Sequence, residues 1–551
     1  MKDFESFVKT YSTRDFIYFF SQKSIEIYKE HIHSSKKFGC SMMFPLESFQ
    51  YGFFRRTTNV MLLAWDIPNM AYLSIINAND YRKNIMTEEM AGIGVNLYRG
   101  YENKYSGSEY LKNARLPDLH KYVMGMSYEQ FKYENPEWVY QNFNRNYHIL
   151  IGSLSINRDG LVDANMITKE IFEFTVEETL ALEWAVLWLC YNCPFPLSLP
   201  EKVYRKKDER ILTKNNIERI IDYYSVTYEQ VRKSPLGKQI FYSKPFVITQ
   251  KKREKLAVSI YLVQMMLADG LYWLIRDYYH NNQKGQVFVN AFGEMFEDYF
   301  EELMGEYLKN GFWHKIPENK KKSADYYVEF EKAVFIFELK SGMLGIGAKQ
   351  QTPNVDLIDI FYKRNIEKAY KQLKNSELEY KGDKPVIKIF LLYESMPSNT
   401  QMIISSLPEL FEKDSNCYVM TIEELEMFLT TYKKDRVKFD NIVSRLITSE
   451  NGARRYKSVF EVLREYQATE NMQFTGEKDY FEKIVHSYIG EHTESMTKVD
   501  IFGGIYKNDF PEYCPICRRA YEHQKHKHAQ DQRYEEDKNE AMYILYGVER
   551  G

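Results

Sequence analysis

One short stretch, residues 333–339 (Ala-Val-Phe-Ile-Phe-Glu-Leu), constrains the fold most strongly. It is apolar at odd and even positions alike, and this pattern is typical of a strand whose sheet is covered on both faces. Glu338 is the one charged residue in the run. It is therefore expected to be buried, which costs free energy unless a cation compensates its charge.

The sequence on either side of this run predicts a β-hairpin. Residues 331–332 form a natural two-residue connection between two runs that are rich in aromatic and β-branched residues. In the resulting register Val328 faces Phe335, and Asp325 lies opposite Glu338. Opposite side chains in an antiparallel pair lie about 5 Å apart and share one face of the sheet.

Lys340 is expected on the same face, because it follows Glu338 by two positions in the strand. Two neighbouring buried carboxylates repel each other, and a divalent metal ion is the simplest remedy. The alternative is an ordinary buried ion pair between Lys340 and one of the acids. Because buried charges cluster mostly at functional sites, we favour the metal site.

A helix is predicted before the hairpin, over residues 292–310. Its apolar stripe repeats at helical spacing and consists of Phe296, Phe300, Leu303 and Tyr307. At about 100° per residue, Glu297 falls at the border of this stripe, whereas Glu294 and Glu301 are expected to face solvent. Glu306 is also a border residue. We carry Glu297 forward as the candidate ligand.

Together these residues resemble the PD-(D/E)xK nuclease superfamily, which is also called restriction-endonuclease-like. The resemblance covers residues 286–430. In it, Glu297 takes the place of the helix glutamate and Asp325 that of the strand aspartate. Glu338 and Lys340 form the (D/E)xK pair. The resemblance implies a central α/β core, in which helices flank a mixed four-stranded sheet.

Two further features bear on the resemblance. Ala324 stands where the name-giving proline would be, at a position where the family varies. A later helix, residues 366–374, resembles the helix that follows the sheet in many members. Gln372 on that helix would support the site from outside the group of metal ligands.

The activity that the resemblance implies is metal-dependent hydrolysis of phosphodiester bonds in DNA. One or two Mg²⁺ or Mn²⁺ ions would be held by Asp325, Glu338, Glu297 and the backbone carbonyl of Leu339. Lys340 would orient or activate the attacking water and stabilise the developing negative charge. The sequence contains no G-x-x-x-x-G-K-[ST] loop, so no nucleotide-driven motor is predicted. A nuclease domain with large helical flanks is similar to bacterial restriction-type and antiviral (anti-phage) defence effectors.

Two other interpretations stay open. The nuclease fold could be catalytically inactive and act as a nucleic-acid-binding or scaffold protein, or the substrate could be RNA. DNA is the favoured partner. A second copy of the chain or a protein of a defence system is a further candidate, and no membrane partner is expected.

The formal net charge is −3, so a nucleic acid would have to bind to local basic patches. One such patch surrounds the candidate acids. Its members are the lysines at 320–322, Lys349, Lys363, Arg364, Lys368, Lys371 and Lys374. They suit a phosphate backbone, which binds cations with little regard to sequence. A solvated helix face explains any single one of them equally well.

At 551 residues the chain is long enough for about two to four domains. A polar break at 280–285 predicts a boundary that separates a large α-helical N-terminal region, residues 1–285, from the nuclease-like domain, residues 286–430. Residues 431–551 are expected to form a helical C-terminal region. The N-terminal region is expected to sense a signal or to contact a partner protein or DNA.

Cysteine content and hydropathy predict a soluble, cytoplasmic protein. Six cysteines are too few for a disulfide framework. The start of the sequence is charged and lacks an apolar signal region. The apolar stretches 180–193 and 256–275 contain charged or polar residues and are read as buried helices rather than membrane spans.

The C-terminal region contains a candidate zinc site. Cys514-Pro-Ile-Cys517, His523 and His528 have a spacing that resembles a zinc knuckle with one extra residue and a final histidine in place of cysteine. Two thiolates and two imidazoles fit tetrahedral Zn²⁺. The alternative is a set of exposed histidines among Lys and Gln.

Local signals in the N-terminal region predict individual helices. Thr175 and Glu178 form a capping box ahead of a long apolar helix that ends near Asn192. Residues 214–224 and 227–232 are predicted to be two short helices. They could form a DNA-binding helix-turn-helix, but plain packing is the favoured interpretation.

Overall fold

The fold is mixed α+β and mainly helical, and the residues that the structure describes form three small β-sheets. The computed structural model describes residues 3–33, 40–47, 57–104, 116–134, 136–152, 162–198, 211–309, 311–317, 322–344, 355–394, 416–447, 457–470, 472, 474 and 478–489. Within these residues, none of the helices combines the length and the apolar character that a membrane span requires.

The described N-terminal part is largely helical, as predicted. Its helices are α1 (Phe4–Val8), α2 (Thr13–His33), α3 (Asp66–Asn77), α4 (Glu88–Glu102), α5 (Leu116–Glu134), α6 (Pro136–Leu150), α7 (Ala164–Phe172), α8 (Val176–Asn192), α9 (Lys214–Tyr223), α10 (Tyr228–Lys233), α11 (Ile240–Ser243) and α12 (Ile260–Asn281). It also contains two small sheets that were not predicted. Their strands are β1 (Ser41–Glu47) and β2 (Thr57–Leu63) in one, and β3 (Ser225–Thr227), β4 (Phe246–Ile248) and β5 (Lys255–Ala257) in the other.

The capping box and the short helices that local sequence signals predicted in this part are confirmed. Thr175 and Glu178 form a reciprocal capping box, and α8 ends at Asn192. The two short helices are α9 and α10. Arg232 of α10 donates from Nε and Nη2 to the carbonyls of Ile75 and Ala78, at 2.9 and 2.8 Å. Since these carbonyls end α3, α10 packs onto the protein itself.

The central part begins with α13 (Gly285–Tyr307), which starts earlier than the predicted residue 292. The strands that follow are β6 (Trp313–Lys315), β7 (Tyr326–Glu329), β8 (Val334–Lys340), β9 (Val386–Leu392) and β10 (Cys417–Thr421). The helices are α14 (Val355–Tyr362), a π-helix (Lys363–Glu367), α15 (Lys368–Glu379), α16 (Ile422–Lys434), α17 (Arg436–Ile447), α18 (Val459–Glu465) and α19 (Tyr480–Ile489).

The central sheet has the strand order β10-β9-β8-β7-β6. β6, β7 and β8 are antiparallel neighbours, whereas β8, β9 and β10 are parallel. The pairing of Val328 with Phe335 confirms the predicted hairpin register. Within the described ranges this sheet has five strands rather than the predicted four. The additional strand is β6, a polar edge strand that the sequence pattern did not indicate.

Helices cover both faces of β8, as its apolar sequence predicts. Phe335 and Phe337 pack into the core that contains α13, and the ring centroids of Phe337 and Phe300 lie 5.2 Å apart. Ile336 points the other way, into a core that contains Leu373 of α15. This alternation determines the faces of the charged residues at the end of the strand.

The boundary predicted near residue 285 stays a prediction. α12 ends at Asn281 and α13 begins at Gly285, so a short break lies where the sequence predicted one. The two helices nevertheless pack on each other, and the ring centroids of Tyr272 and Phe292 lie 4.9 Å apart. Residues on both sides of the break belong to one hydrophobic core.

Candidate functional site

Asp325 and Glu338 meet where β7 begins and β8 ends. The regular ladder stops at the pair formed by Tyr326 and Phe337. The backbone N–H of Asp325 donates to the carbonyl of Phe337 over 3.0 Å. The predicted backbone pairing of Asp325 with Glu338 is therefore not formed, and the ladder ends one residue earlier. Oδ2 of Asp325 accepts the backbone N–H of Leu339 at 2.7 Å. The aspartate side chain therefore continues the hairpin where the backbone pairing ends.

Glu338 is only 1% exposed, and the alternation along β8 orients it toward α15. Its Oε1 accepts a hydrogen bond from the Lys340 ammonium. Its Oε2 is buried and has no hydrogen-bond partner among the residues that the structure describes. Burial raises the pKa of this carboxyl to about 7; the charge of Asp325 adds to the rise, and Lys340 opposes it.

The two acids have the chemistry of a divalent metal site. Burial also raises the pKa of Asp325, and the Leu339 N–H and the Lys340 charge oppose that rise. Both side chains offer hard oxygen ligands, which Mg²⁺ and Mn²⁺ prefer. A divalent cation would account for the unpartnered Oε2 of Glu338, so these residues fit the ion that the resemblance implies. The predicted role of the Leu339 carbonyl stays a prediction.

Glu297 approaches from the opposite face of the sheet, because it lies on α13. Its Oε1 accepts a hydrogen bond from the Tyr326 hydroxyl at 2.8 Å and contacts the Lys315 ammonium at 2.5 Å. Its charge also contributes to the raised pKa of Asp325. Glu297 is therefore close enough to act electrostatically on Asp325.

Glu301 was not predicted to belong to this region. The Tyr326 hydroxyl lies 2.6 Å from its Oε1, so the side chain is partly buried rather than directed at solvent. The single hydroxyl proton of Tyr326 faces two carboxylates, Glu297 and Glu301. Lys315 supplies the positive charge that this crowding requires.

Gln372 contacts the chain just before Asp325, and its predicted supporting role stays a prediction. Its Nε2 donates to the carbonyl of Ser323 at 3.1 Å. Two neighbours on α15 that were not predicted act on the same segment. Asn375 Nδ2 donates to the carbonyl of Lys322 at 3.0 Å, and Ser376 Oγ accepts the backbone N–H of Ala324 at 2.9 Å. Asn375 and Ser376 follow Gln372 by three and four residues, and this helical spacing could have indicated that they share its face of α15.

The acids do not form a closed three-ligand cage. Within the described ranges, no group of three or more His, Cys, Asp or Glu side chains is arranged to hold a metal ion. Each ammonium instead holds one acid, since Lys340 pairs with Glu338 and Lys315 pairs with Glu297.

The predicted basic patch is only partly described. Lys322, Lys368 and Lys371 are exposed, and the charge of Lys368 acts on Glu338. Lys374 is drawn into an ion pair with Glu377 at 2.6 Å. Lys349, the lysines at 320–321 and the side chains of Lys363 and Arg364 lie outside the described residues. The candidate zinc ligands Cys514, Cys517, His523 and His528 also lie outside them, so that site stays a prediction.

A comparison of this chain with protein-family models, with curated proteins and with solved structures finds no significant match.

Proposed function

We propose that this protein is a metal-dependent nuclease that hydrolyses phosphodiester bonds in DNA. The observation that carries the proposal is the burial of Glu338 beside Asp325 and Lys340, with one carboxylate oxygen unpartnered among the described residues. A strand that is covered on both faces has no structural need of two acids at its end, and burying them costs free energy. Groups that are held at such a cost are typical of active sites.

The topology of the central sheet also supports the proposal. A long helix precedes an antiparallel meander of three strands, and a helical connection leads on to a strand parallel to β8. This arrangement is compatible with the helix-flanked mixed sheet of restriction-endonuclease-like nucleases. The acids lie at the carboxyl end of β8, the end at which open α/β sheets usually bind their ligands.

Asp325 and Glu338 would hold the divalent ion, with Glu297 and the Leu339 carbonyl as further ligands. When bound, Mg²⁺ or Mn²⁺ lowers the pKa of a coordinated water and screens the charge of the phosphate. The Lys340 side chain is 20% exposed, so its ammonium can reach the attacking water or a phosphate oxygen. There it would stabilise the negative charge that develops during hydrolysis.

The exposed cations near these acids support a nucleic-acid substrate. Lys322 lies just before the hairpin, and Lys368 and Lys371 lie on α15 beside it. Ammonium groups on a surface bind the phosphate backbone with little regard to base sequence. A restriction-type or antiviral defence role is the biological setting that we propose, by analogy of fold alone.

Asp325→Ala and Lys340→Ala are each expected to reduce Mg²⁺-dependent cleavage at least about a hundredfold, because each removes a charge that acts directly on the reaction. Cleavage would be measured side by side on supercoiled plasmid, linear duplex, single-stranded DNA and RNA, with and without EDTA. Lys381→Ala is the matched control. This exposed lysine lies near the start of β9, at the opposite end of the sheet from the acids, so full activity is expected.

Unchanged cleavage by both site variants would exclude this site. Cleavage of RNA alone would keep the mechanism and change the substrate. Metal-dependent binding of nucleic acid without cleavage by the wild-type protein would support the inactive, nucleic-acid-binding alternative.

Metal binding is expected to weaken by about tenfold for each pH unit below about pH 6, because the ion must displace a proton. The proton in question is held by Glu338, whose pKa burial raises to about 7. Above about pH 8 the carboxyl is ionised and the affinity should become constant. Calorimetric titration of the wild-type protein with Mn²⁺ across this range measures the effect. An affinity that does not change with pH would contradict the assignment of Glu338 as a ligand.

A further inference from the structure

Lys315 is a second amine at the candidate site, and neither the motif nor the proposed mechanism uses it. It ends the edge strand β6 and pairs in register with Tyr326. Its Nζ lies 2.5 Å from Oε1 of Glu297, and its charge also interacts with Glu301 and Asp325. The Lys315 ammonium therefore places a positive charge beside Glu297 and Glu301 on the α13 side of the site, and the charge of Asp325 also acts on it.

The contact between Lys315 and Glu297 competes with metal binding. Oε1 of Glu297 already faces the Tyr326 hydroxyl and the Lys315 ammonium. A divalent ion that binds this carboxylate reduces its attraction for the ammonium, because both cations use the same negative charge. The Lys315 side chain is 58% exposed and has a flexible stem, so it can turn away without disturbing the core.

The released amine would then be next to the substrate. Lys315 lies at the same end of the hairpin as Asp325, whose charge it senses. The scissile phosphate has to approach this end in order to reach the ion. An exposed ammonium at that point can contact a phosphate oxygen of the nucleic acid.

We propose that Lys315 is a phosphate-binding amine whose availability depends on the metal, so that divalent-ion binding and nucleic-acid binding reinforce each other through it. The inference rests on the proposed function, since it needs a metal and a phosphodiester at the same site. By thermodynamic linkage, an ion that tightens nucleic-acid binding is itself bound more tightly when the nucleic acid is present.

The test compares Lys315→Met with the wild-type full-length protein. Affinity for a short phosphorothioate DNA duplex, which resists cleavage, would be measured by fluorescence anisotropy in EDTA and in Mg²⁺. In Mg²⁺ the variant is expected to bind about threefold to tenfold more weakly than the wild type, the loss of one phosphate contact. In EDTA the two proteins should agree within about twofold, because Lys315 is then held by Glu297.

Metal binding by the protein without DNA provides a second readout. Calorimetry with Mn²⁺ is expected to show equal or up to about fivefold tighter binding by Lys315→Met, because a competing ammonium has been removed. Lys381→Met is the matched control and should equal the wild type in every measurement. Thermal melting of each variant verifies that it is folded.

Three results would overturn the inference. Equal losses of DNA affinity in EDTA and in Mg²⁺ would make Lys315 an ordinary surface contact. No loss of DNA affinity in either condition would show that Lys315 does not contact the nucleic acid. Weaker Mn²⁺ binding by Lys315→Met would show that Lys315 positions Glu297 for the metal rather than competing with it. If the wild type cleaves DNA while Lys315→Met behaves as the wild type, only this inference fails. If the wild type neither binds nor cleaves nucleic acid, the proposed function fails with it.

Discussion

Glu338→Gln is expected to abolish cleavage and, at the same time, to stabilise the folded protein at alkaline pH. The carboxyl is 1% exposed, and burial raises its pKa from 4.5 to about 7. Each pKa unit corresponds to about 1.4 kcal/mol, so ionising this group in the folded state costs up to about 3 kcal/mol. Glutamine has nearly the same shape and never carries that charge.

The sign of the pH dependence follows from the raised pKa. Below about pH 4.5 the carboxyl is protonated in the folded and the unfolded chain alike, so the wild type and Glu338→Gln should be similarly stable. Between about pH 4.5 and pH 7 the folded wild type binds more protons than the unfolded chain, and its free energy of unfolding falls as the pH rises. The advantage of the variant should therefore grow across this interval and then stay constant.

Thermal or urea unfolding of both proteins at acid and alkaline pH measures the difference, which should reach about 1–3 kcal/mol. Glu331→Gln, at the exposed turn of the same hairpin, is the control and should change neither cleavage nor stability. A variant that is less stable than the wild type at every pH would show a different role for Glu338. The residue would then be a structural partner of Lys340.

The part of the site that could be predicted from sequence is the part that depends on neighbours in the chain. The two-residue turn and the apolar run of β8 determine the hairpin register, so the approach of Asp325 to Glu338 follows from local rules. The regular pairing stops one residue early, at Tyr326. The Asp325 side chain bonds to the Leu339 N–H at this point, a detail that strand periodicity does not contain.

The residues that were missed depend on contacts between distant parts of the chain. β6 reads Trp-His-Lys and has no alternating pattern; it is a strand because it pairs with β7. Glu301 lies on the solvent side of a helical wheel, but Tyr326 reaches it from the sheet. Lys315 then enters the site because β6 extends the sheet. A wheel or a strand pattern describes one element at a time and cannot predict such contacts.

Arg145→Met is expected to destabilise the protein by about 3–5 kcal/mol, because it leaves buried carboxylates without their cation. The guanidinium is 1% exposed. Its Nε and Nη2 each donate to Glu426 at 2.7 Å, and its Nη1 donates to Glu423 at 2.8 Å. Tyr299 of α13 donates to the same Glu426 at 2.8 Å. The Glu426 side chain of α16 thus binds both Arg145 of α6 and Tyr299 of α13. The same helix α13 carries the candidate ligand Glu297.

Unfolding in urea would measure this loss against two further variants. Arg145→Lys keeps the charge but not the paired geometry, so it should fall between Arg145→Met and the wild type. Lys233→Met breaks an exposed pair with Glu229 on α10 and should have no measurable effect. Adding Glu426→Leu to Arg145→Met should restore part of the lost stability, because it removes a stranded charge. If Arg145→Met is as stable as the wild type, these ion pairs contribute no net stability to the fold. Apolar packing around Tyr299 would then be what holds α13 in position for the site.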